Sequence, residues 1–162
     1  FNYIYAGFHS ADYRSRYAER LHVDFPRIVV HPERQLVVEL CRLGKRLTQL
    51  HHLTADVENV ERARWQGISG PVQVEKGFPR FEQQRVYWRP SQWVEPVPEN
   101  VWRYRVGVHQ VCRKWLKDRR GHYLTCNELE RYLDIVSAIG HTIETVAELD
   151  CVVDKFGGWK VT

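Results

Sequence analysis

The side chains that most often carry out catalysis are scattered along this chain. It has 162 residues, including eight histidines and four cysteines. His51 and His52 are adjacent, so on a helix their side chains would point about 100° apart. No two cysteines have the short spacing of a zinc site. Neither a Gly-x-Ser-x-Gly elbow nor a glycine-rich phosphate loop occurs. The sequence therefore predicts no catalytic, metal or cofactor residues in this segment.

A metal-dependent nuclease is the one enzyme class that needs a direct test, because Glu75 and Lys76 lie in a basic, β-rich stretch. The usual nuclease arrangement places a carboxylate and a lysine one residue apart on a strand. Adjacent strand residues face opposite sides, so these two side chains would diverge. A small metal-dependent nuclease therefore remains only the least favoured alternative.

The positive charge of the chain is concentrated in its middle. Residues 76–120 hold 11 basic and 4 acidic residues, whereas the whole chain has a formal charge of only +4. Arginine and lysine neutralise phosphates, and arginine or glutamine can also read base edges in DNA. The base-edge candidates are Arg80, Gln83, Arg85 and Gln92. The phosphate candidates are Lys76, Arg89, Arg105, Lys114, Lys117, Arg119 and Arg120.

Helical patterns flank this basic segment. Ser10 is a plausible N-cap for a first helix, and a stripe of leucines from Leu36 to Leu50 predicts a second helix with a buried face. Thr125 and Glu128 form the pattern of a capping box, followed by an apolar stripe from Leu129 to Val146. Helix is also predicted to resume at Val108. Between these parts, short β-rich runs separated by glycine and proline predict small antiparallel strands.

These patterns predict one α+β domain over residues 1–162, with helices at both ends flanking a small antiparallel sheet. Its parts are a helical region over 1–53, a β-rich region over 72–106 and a second helical region over 107–156. The composition, 43% hydrophobic with a mean hydropathy of -0.50, is typical of a soluble protein without a membrane segment. The scattered cysteines favour a reducing, cytoplasmic location. Because the chain has no methionine and opens on Phe1, we interpret it as a fragment of a longer protein.

Several strings in this order resemble the C-terminal specificity domain of single-chain type ISP restriction-modification enzymes and related adenine-N6 DNA methyltransferases. The resemblance runs from about Tyr3 to Asp150. Its strings are residues 9–17 (HSADYRSRY), 24–28 (DFPRI), 44–53 (GKRLTQLHHL), 104–107 (YRVG) and 114–119 (KWLKDR). The chain departs from the family pattern at Gly107-Val108-His109, where Gly-Gly-Tyr is common.

The resemblance implies a non-catalytic DNA target-recognition domain that reads duplex DNA in the major groove. It also implies a preceding methyltransferase domain in the same parent chain, which binds S-adenosylmethionine and acts on a flipped adenine. The parent protein would then be an adenine-specific DNA methyltransferase, with or without restriction endonuclease activity. The main alternative is a protein-protein docking module that makes no DNA contact, built from the basic middle and the acidic last helix.

Overall fold

The computed structural model of the chain describes residues 1–23, 30–55, 62–67 and 70–159. Its helices are α1 (Asn2–His9), α2 (Ala11–Arg16), α3 (Ala18–Val23), α4 (Arg34–His51), α5 (Glu99–Arg103), α6 (Val111–Lys117) and α7 (Cys126–Lys155). Its strands are β1 (Arg64–Gln66), β2 (Val72–Gln73), β3 (Arg80–Glu82), β4 (Arg85–Arg89), β5 (Gln92–Glu95), β6 (Arg105–Val106), β7 (His109–Gln110) and β8 (Tyr123–Leu124). The chain divides into two compact units, Phe1–Ala55 with His141–Thr162, and Asp56–Gly140.

The first unit is helical, and its core is the leucine stripe of α4. The leucines predicted to face a core are each at most 1% exposed, namely Leu36, Leu40, Leu43, Leu47 and Leu50. Helix α1 packs so closely on α4 that a Cβ atom at Gly44 would lie 1.9 Å from the carbonyl oxygen of Asn2. Only glycine permits this approach, which explains why Gly44 lies beside the buried leucines of α4.

The buried Ser10 hydroxyl forms hydrogen bonds that join the N-terminal and C-terminal segments of the first unit. Ser10 caps α2, as predicted, because its Oγ accepts a hydrogen bond from the Tyr13 amide at 3.1 Å. The same hydroxyl donates to the Asp150 carboxylate at 2.6 Å and accepts from the Trp159 indole N–H at 2.9 Å. Each polar atom of this buried site is therefore satisfied, as a core serine requires.

The second unit contains an antiparallel sheet with strand order β1-β5-β4-β3. Strand β4 alternates in burial, so that Val86 and Trp88 are fully buried while its other residues are partly exposed. Trp88 packs edge-on against Trp65 of β1, with ring centroids 4.7 Å apart. One face of the sheet is thus core, and the opposite face is free to carry polar and charged side chains.

Two smaller antiparallel ribbons complete the second unit. Strand β2 pairs with β8, and β6 pairs with β7 across the two-residue turn Gly107-Val108. The prediction of helix from Val108 was wrong, because Gly107 adopts a φ of 57° and reverses the chain. Helix α6 begins only at Val111, immediately after β7.

The predicted capping box begins α7. The Thr125 amide donates to the Glu128 carboxylate at 3.0 Å, and the Glu128 amide donates back to Thr125 Oγ1 at 3.3 Å. The Thr125 amide and then the Thr125 hydroxyl, which both donate to the Glu128 carboxylate, lower the pKa of Glu128, with a smaller contribution from Arg119. The apolar stripe that follows is buried at Leu129, Leu133, Val136 and Ile139.

The predicted α+β class, with helices at both ends and a small antiparallel sheet, is confirmed. The family string at residues 24–28 lies outside the described residues. Among the helices that the structure describes, none combines the length and the apolar character needed to cross a membrane.

Candidate nucleic-acid interface

The β3–β4 hairpin carries three of the four residues predicted to contact base edges. The register places Arg80 opposite Tyr87 and Glu82 opposite Arg85, on the face away from the core. Phe81 and Val86 form the intervening pair and point inward. Arg80 is exposed, and its guanidinium lies 4.9 Å from the ring centre of Phe78. The hairpin therefore presents a row of polar and charged side chains toward solvent.

Gln83 and Gln84 form the tip of this hairpin. Strand β3 ends at Glu82 and β4 begins at Arg85, so Gln83 lies in the turn between the two strands. Both glutamines are exposed and have positive φ values, 49° and 60°. Positive φ at both central residues defines a type I′ turn, for which Asn-Gly is the favoured sequence. The glutamine side chains are thus displayed at some cost in backbone energy.

Arg85 is engaged within the sheet. Its Nε lies 2.5 Å from Glu95 Oε2, and its guanidinium lies 5.4 Å from the ring centre of Trp93. The hydrogen bond to Glu95 raises the pKa of Arg85, and the same bond lowers the pKa of Glu95. Arg85 retains 40% exposure of its side chain. A phosphate or a guanine edge would therefore have to compete with Glu95 for this guanidinium.

The expectation that Gln92 contacts bases is corrected by the structure. The residue is only 3% exposed, and its side-chain oxygen accepts a hydrogen bond from the Trp88 indole N–H at 3.0 Å. A buried indole N–H needs such an acceptor. Gln92 therefore supports the core side of the sheet.

Four of the seven phosphate candidates are held by other parts of the second unit. Three form ion pairs, Arg89 with Glu75 at 3.1 Å, Lys114 with Asp118 at 2.7 Å and Arg119 with Glu128 at 3.3 Å. Arg119 also stacks on the Trp115 ring at 3.8 Å from the ring centre. The fourth, Arg120, donates to the carbonyl oxygen of Phe78. Three of these cations therefore have a carboxylate partner, and the guanidinium of Arg120 is hydrogen-bonded to a neutral carbonyl oxygen.

The other three phosphate candidates are more available. Lys76, Arg105 and Lys117 are exposed, and none of them forms an ion pair with a carboxylate in the part of the chain that the structure describes. Arg105 makes one hydrogen bond, to the Val108 carbonyl oxygen at 3.3 Å. Lys117 ends helix α6, where Cys112 and Leu116 face the core.

Three exposed residues of the second unit were not predicted from the sequence as candidates for DNA contact, namely Arg113, Val106 and Val108. Arg113 lies one turn before Lys117 on α6, so the two exposed cations share one side of that helix. The signal was available, because Cys112 and Leu116 already mark the buried face. Val106 and Val108 were missed because an exposed valine cannot be recognised from sequence alone. They belong to the β6–β7 hairpin.

Residue types that ligate metals occur throughout the part of the chain that the structure describes. No group of three or more His, Cys, Asp or Glu side chains in this part of the chain is placed to hold a metal ion. Burial raises the pKa of the Cys112 thiol to about 12, which keeps it protonated at neutral pH. Glu75, the acid considered for a nuclease, is paired with Arg89.

The fold and these residues define an α+β module whose second unit carries exposed cations and two hairpins with exposed tips. A family model for the type ISP C-terminal specificity domain matches residues 1–148. The chain therefore belongs to that family. None of the curated proteins matches the sequence.

Three solved structures share the fold. A nuclease-deletion mutant of the type ISP restriction-modification enzyme LlaGI, in complex with a DNA substrate mimic, matches 92% of this chain with 22% identity and a TM-score of 0.68. The ATP-dependent type ISP enzyme LlaBIII, bound to DNA, matches 91% with 22% identity and a TM-score of 0.62. The DrdV-DNA complex matches 93% with 18% identity and a TM-score of 0.61. This chain spans 16%, 11% and 17% of those chains, respectively.

Proposed function

We propose that this chain is the sequence-specific duplex DNA recognition module of a restriction-modification or adenine methyltransferase protein, and that it is not catalytic by itself. Family membership over residues 1–148 carries the proposal. The three solved relatives are described as bound to DNA or to a DNA mimic. The exposed cations of the second unit supply the charge that such binding requires.

The exposed polar residues of the second unit fall into two groups, to which we assign different contacts with DNA. Lys76, Arg105, Arg113 and Lys117 bind phosphates, which fixes the position of the protein on the duplex without reading sequence. Arg80, Gln83 and Arg85 reach base edges from the β3–β4 hairpin, where arginine pairs with guanine and glutamine with adenine. Of the cations with carboxylate partners, Lys114 pairs with Asp118 at the end of its own helix α6, and Arg119 links the residues after α6 to Glu128 of α7.

In the parent protein, we propose that a preceding domain binds S-adenosylmethionine and methylates a flipped adenine. A base must leave the stack before its exocyclic nitrogen can be reached. This chain would then grip the duplex and fix which adenine is presented. Duplex DNA and the preceding methyltransferase domain are the expected partners, and the cell compartment is the cytoplasm, where DNA is accessible.

Fluorescence anisotropy with a random-sequence duplex tests the proposal over a range of salt concentrations. We expect log affinity to fall linearly with log salt, by about 0.9 for each phosphate contact. Lys117→Ala should reduce that slope by about one and weaken binding to all sequences alike, whereas Arg85→Ala should relax sequence preference. Lys45→Ala is the matched control, because Lys45 is an exposed lysine on α4 in the other unit. Absence of binding at low salt, or affinity independent of salt, would contradict the proposal and favour a protein-docking module.

A further inference from the structure

The β6–β7 hairpin holds two valines in solvent. Val106 is 63% exposed and Val108 is 79% exposed. Gly107 occupies the first position of the two-residue turn with a positive φ of 57°, while Val108 does not have a positive φ. This is the pattern of a type II′ turn, which suits a right-handed β-ribbon. The tip is therefore a relaxed local structure that displays apolar side chains.

The base of this hairpin is fixed to the core of the second unit. The Gln110 side-chain amide donates to the Trp102 carbonyl oxygen at 2.5 Å, and the Val111 amide donates to the Tyr104 carbonyl oxygen at 3.2 Å. Trp102 in turn stacks on Phe81 of β3, with ring centroids 5.5 Å apart and an interplanar angle of 9°. The hairpin is anchored without any contribution from its two exposed valines, so folding does not explain their apolar character.

The charges around the tip indicate the kind of partner. Arg105 precedes the turn, and Arg113 and Lys117 follow on α6, all exposed. The acidic side chains nearby are already paired, Glu99 with Arg103 at 2.6 Å and Asp118 with Lys114 at 2.7 Å. An apolar tip between uncompensated cations fits a polyanion that exposes apolar groups between its charges. Duplex DNA has this character.

We propose that the tip of the β6–β7 hairpin enters the major groove and that Val106 and Val108 contact the C5-methyl groups of thymine. This inference rests on the proposed function and assigns base contacts to residues outside the β3–β4 hairpin. A two-stranded ribbon fits the major groove, which is about 12 Å wide, and the thymine methyl is the apolar group displayed there. The minor groove is about 6 Å wide, and apolar side chains enter it by unstacking bases. Short, β-branched valines suit the first geometry.

The experiment compares thymine with uracil, which differs only by the absent methyl group. A duplex sequence is first enriched by the wild-type chain from a random library. It is then synthesised with thymine or with uracil, and its affinity is measured for the wild type and for V106S/V108S. Both valines are exposed, so we expect the variant to keep the wild-type thermal unfolding midpoint. V38S is the matched control, because Val38 is a 57% exposed valine on α4 of the other unit.

We expect the wild type and V38S to bind the thymine duplex about fourfold more tightly for each contacted methyl group. V106S/V108S should bind both duplexes with equal affinity. The inference is overturned if the wild type does not distinguish the two duplexes, if the enriched sequence lacks thymine, or if V106S/V108S keeps the preference for thymine. A wild-type chain that binds no duplex, or that enriches no sequence, contradicts the proposed function itself. The two failures are therefore distinguishable.

Discussion

The two hairpins of the second unit display opposite kinds of tip. The β3–β4 tip consists of two glutamines, both with positive φ, and it is flanked by Arg85, which is paired with Glu95. The β6–β7 tip is Gly-Val, with glycine at the one position that has positive φ. Arg105 beside this tip, and Arg113 and Lys117 on α6, have no carboxylate partner among the described residues. One tip is polar, strained and charge-compensated; the other is apolar, relaxed and basic.

This difference separates two ways of contacting a duplex. Side-chain amides held at a strained turn suit directional hydrogen bonds to base edges, because the strain is tolerated where function requires it. An apolar tip with uncompensated cations suits close approach to a charged groove. The Phe81–Trp102 stack connects the β3–β4 hairpin with α5, which precedes β6. The two tips are thus displayed from one continuous core.

Charge reversal on α6 should have the largest effect on binding. Arg113→Glu/Lys117→Glu places two negative charges beside the basic β6–β7 hairpin, and we expect duplex affinity at low salt to fall by about two orders of magnitude. Anisotropy titrations measure this loss, which should be equal for all sequences. Arg34→Glu/Lys45→Glu, at two exposed cations of α4 in the other unit, is the control. Loss of sequence preference with unchanged total affinity would show that α6 reads bases instead.

Removal of the Gln92 side chain should destabilise the sheet without altering recognition. Gln92→Ala leaves the buried Trp88 N–H without its acceptor, which should lower the free energy of unfolding by about 1–3 kcal/mol. Denaturant unfolding measures the loss, and tryptophan fluorescence reports the site directly. At a temperature where the variant is folded, its sequence preference should match the wild type. A changed preference would restore Gln92 as a base-contact residue.

Replacement of the two glutamines in the strained β3–β4 turn should raise the stability of the chain and reduce its sequence discrimination. Gln83→Asn/Gln84→Gly installs the sequence that a type I′ turn favours and withdraws both long amide side chains. We expect the free energy of unfolding to rise by about 1 kcal/mol, and discrimination at one adenine position to fall about tenfold. Sequencing of duplexes enriched from a random library measures the second effect. If stability rises while the enriched sequence is unchanged, the glutamine tip does not read bases.

The sequence predicts the structural features that depend on residues a few positions apart in the chain. The leucine stripe of α4 and the Thr125–Glu128 capping box are confirmed because both are set by residues three or four apart. The Gln83-Gln84 turn was not predicted because it lacks the glycine or asparagine that marks such turns. The Arg85–Glu95 and Arg89–Glu75 pairs depend on how separate segments meet, which composition does not encode. Composition therefore identifies the basic segment, but it does not predict which of its cations form ion pairs.

The smallest expected effect tests whether Glu95 restrains Arg85. The pKa of Glu95 is lowered by Arg85, so the ion pair is fully formed above the ordinary carboxylate pKa and is lost as pH falls through the depressed value. At neutral pH, Glu95→Gln should release the guanidinium, so that duplex binding strengthens a few-fold and the preference for the base that Arg85 contacts increases. Glu82→Gln is the matched control, because Glu82 is exposed and lies opposite Arg85 in the register without an ion pair to it among the described residues.

The comparison of the two glutamate variants separates a local effect from a general one. If both strengthen binding equally, removal of any negative charge near the hairpin suffices and Arg85 is not restrained by Glu95. If only Glu95→Gln does so, and the gain disappears in Glu95→Gln/Arg85→Ala, the released guanidinium makes the new contact. In that case the register of the sheet places Glu95 beside Arg85, and the carboxylate binds the guanidinium until a base or a phosphate displaces it. The β6–β7 tip has no such restraint, because Arg105 beside it has no carboxylate partner among the described residues.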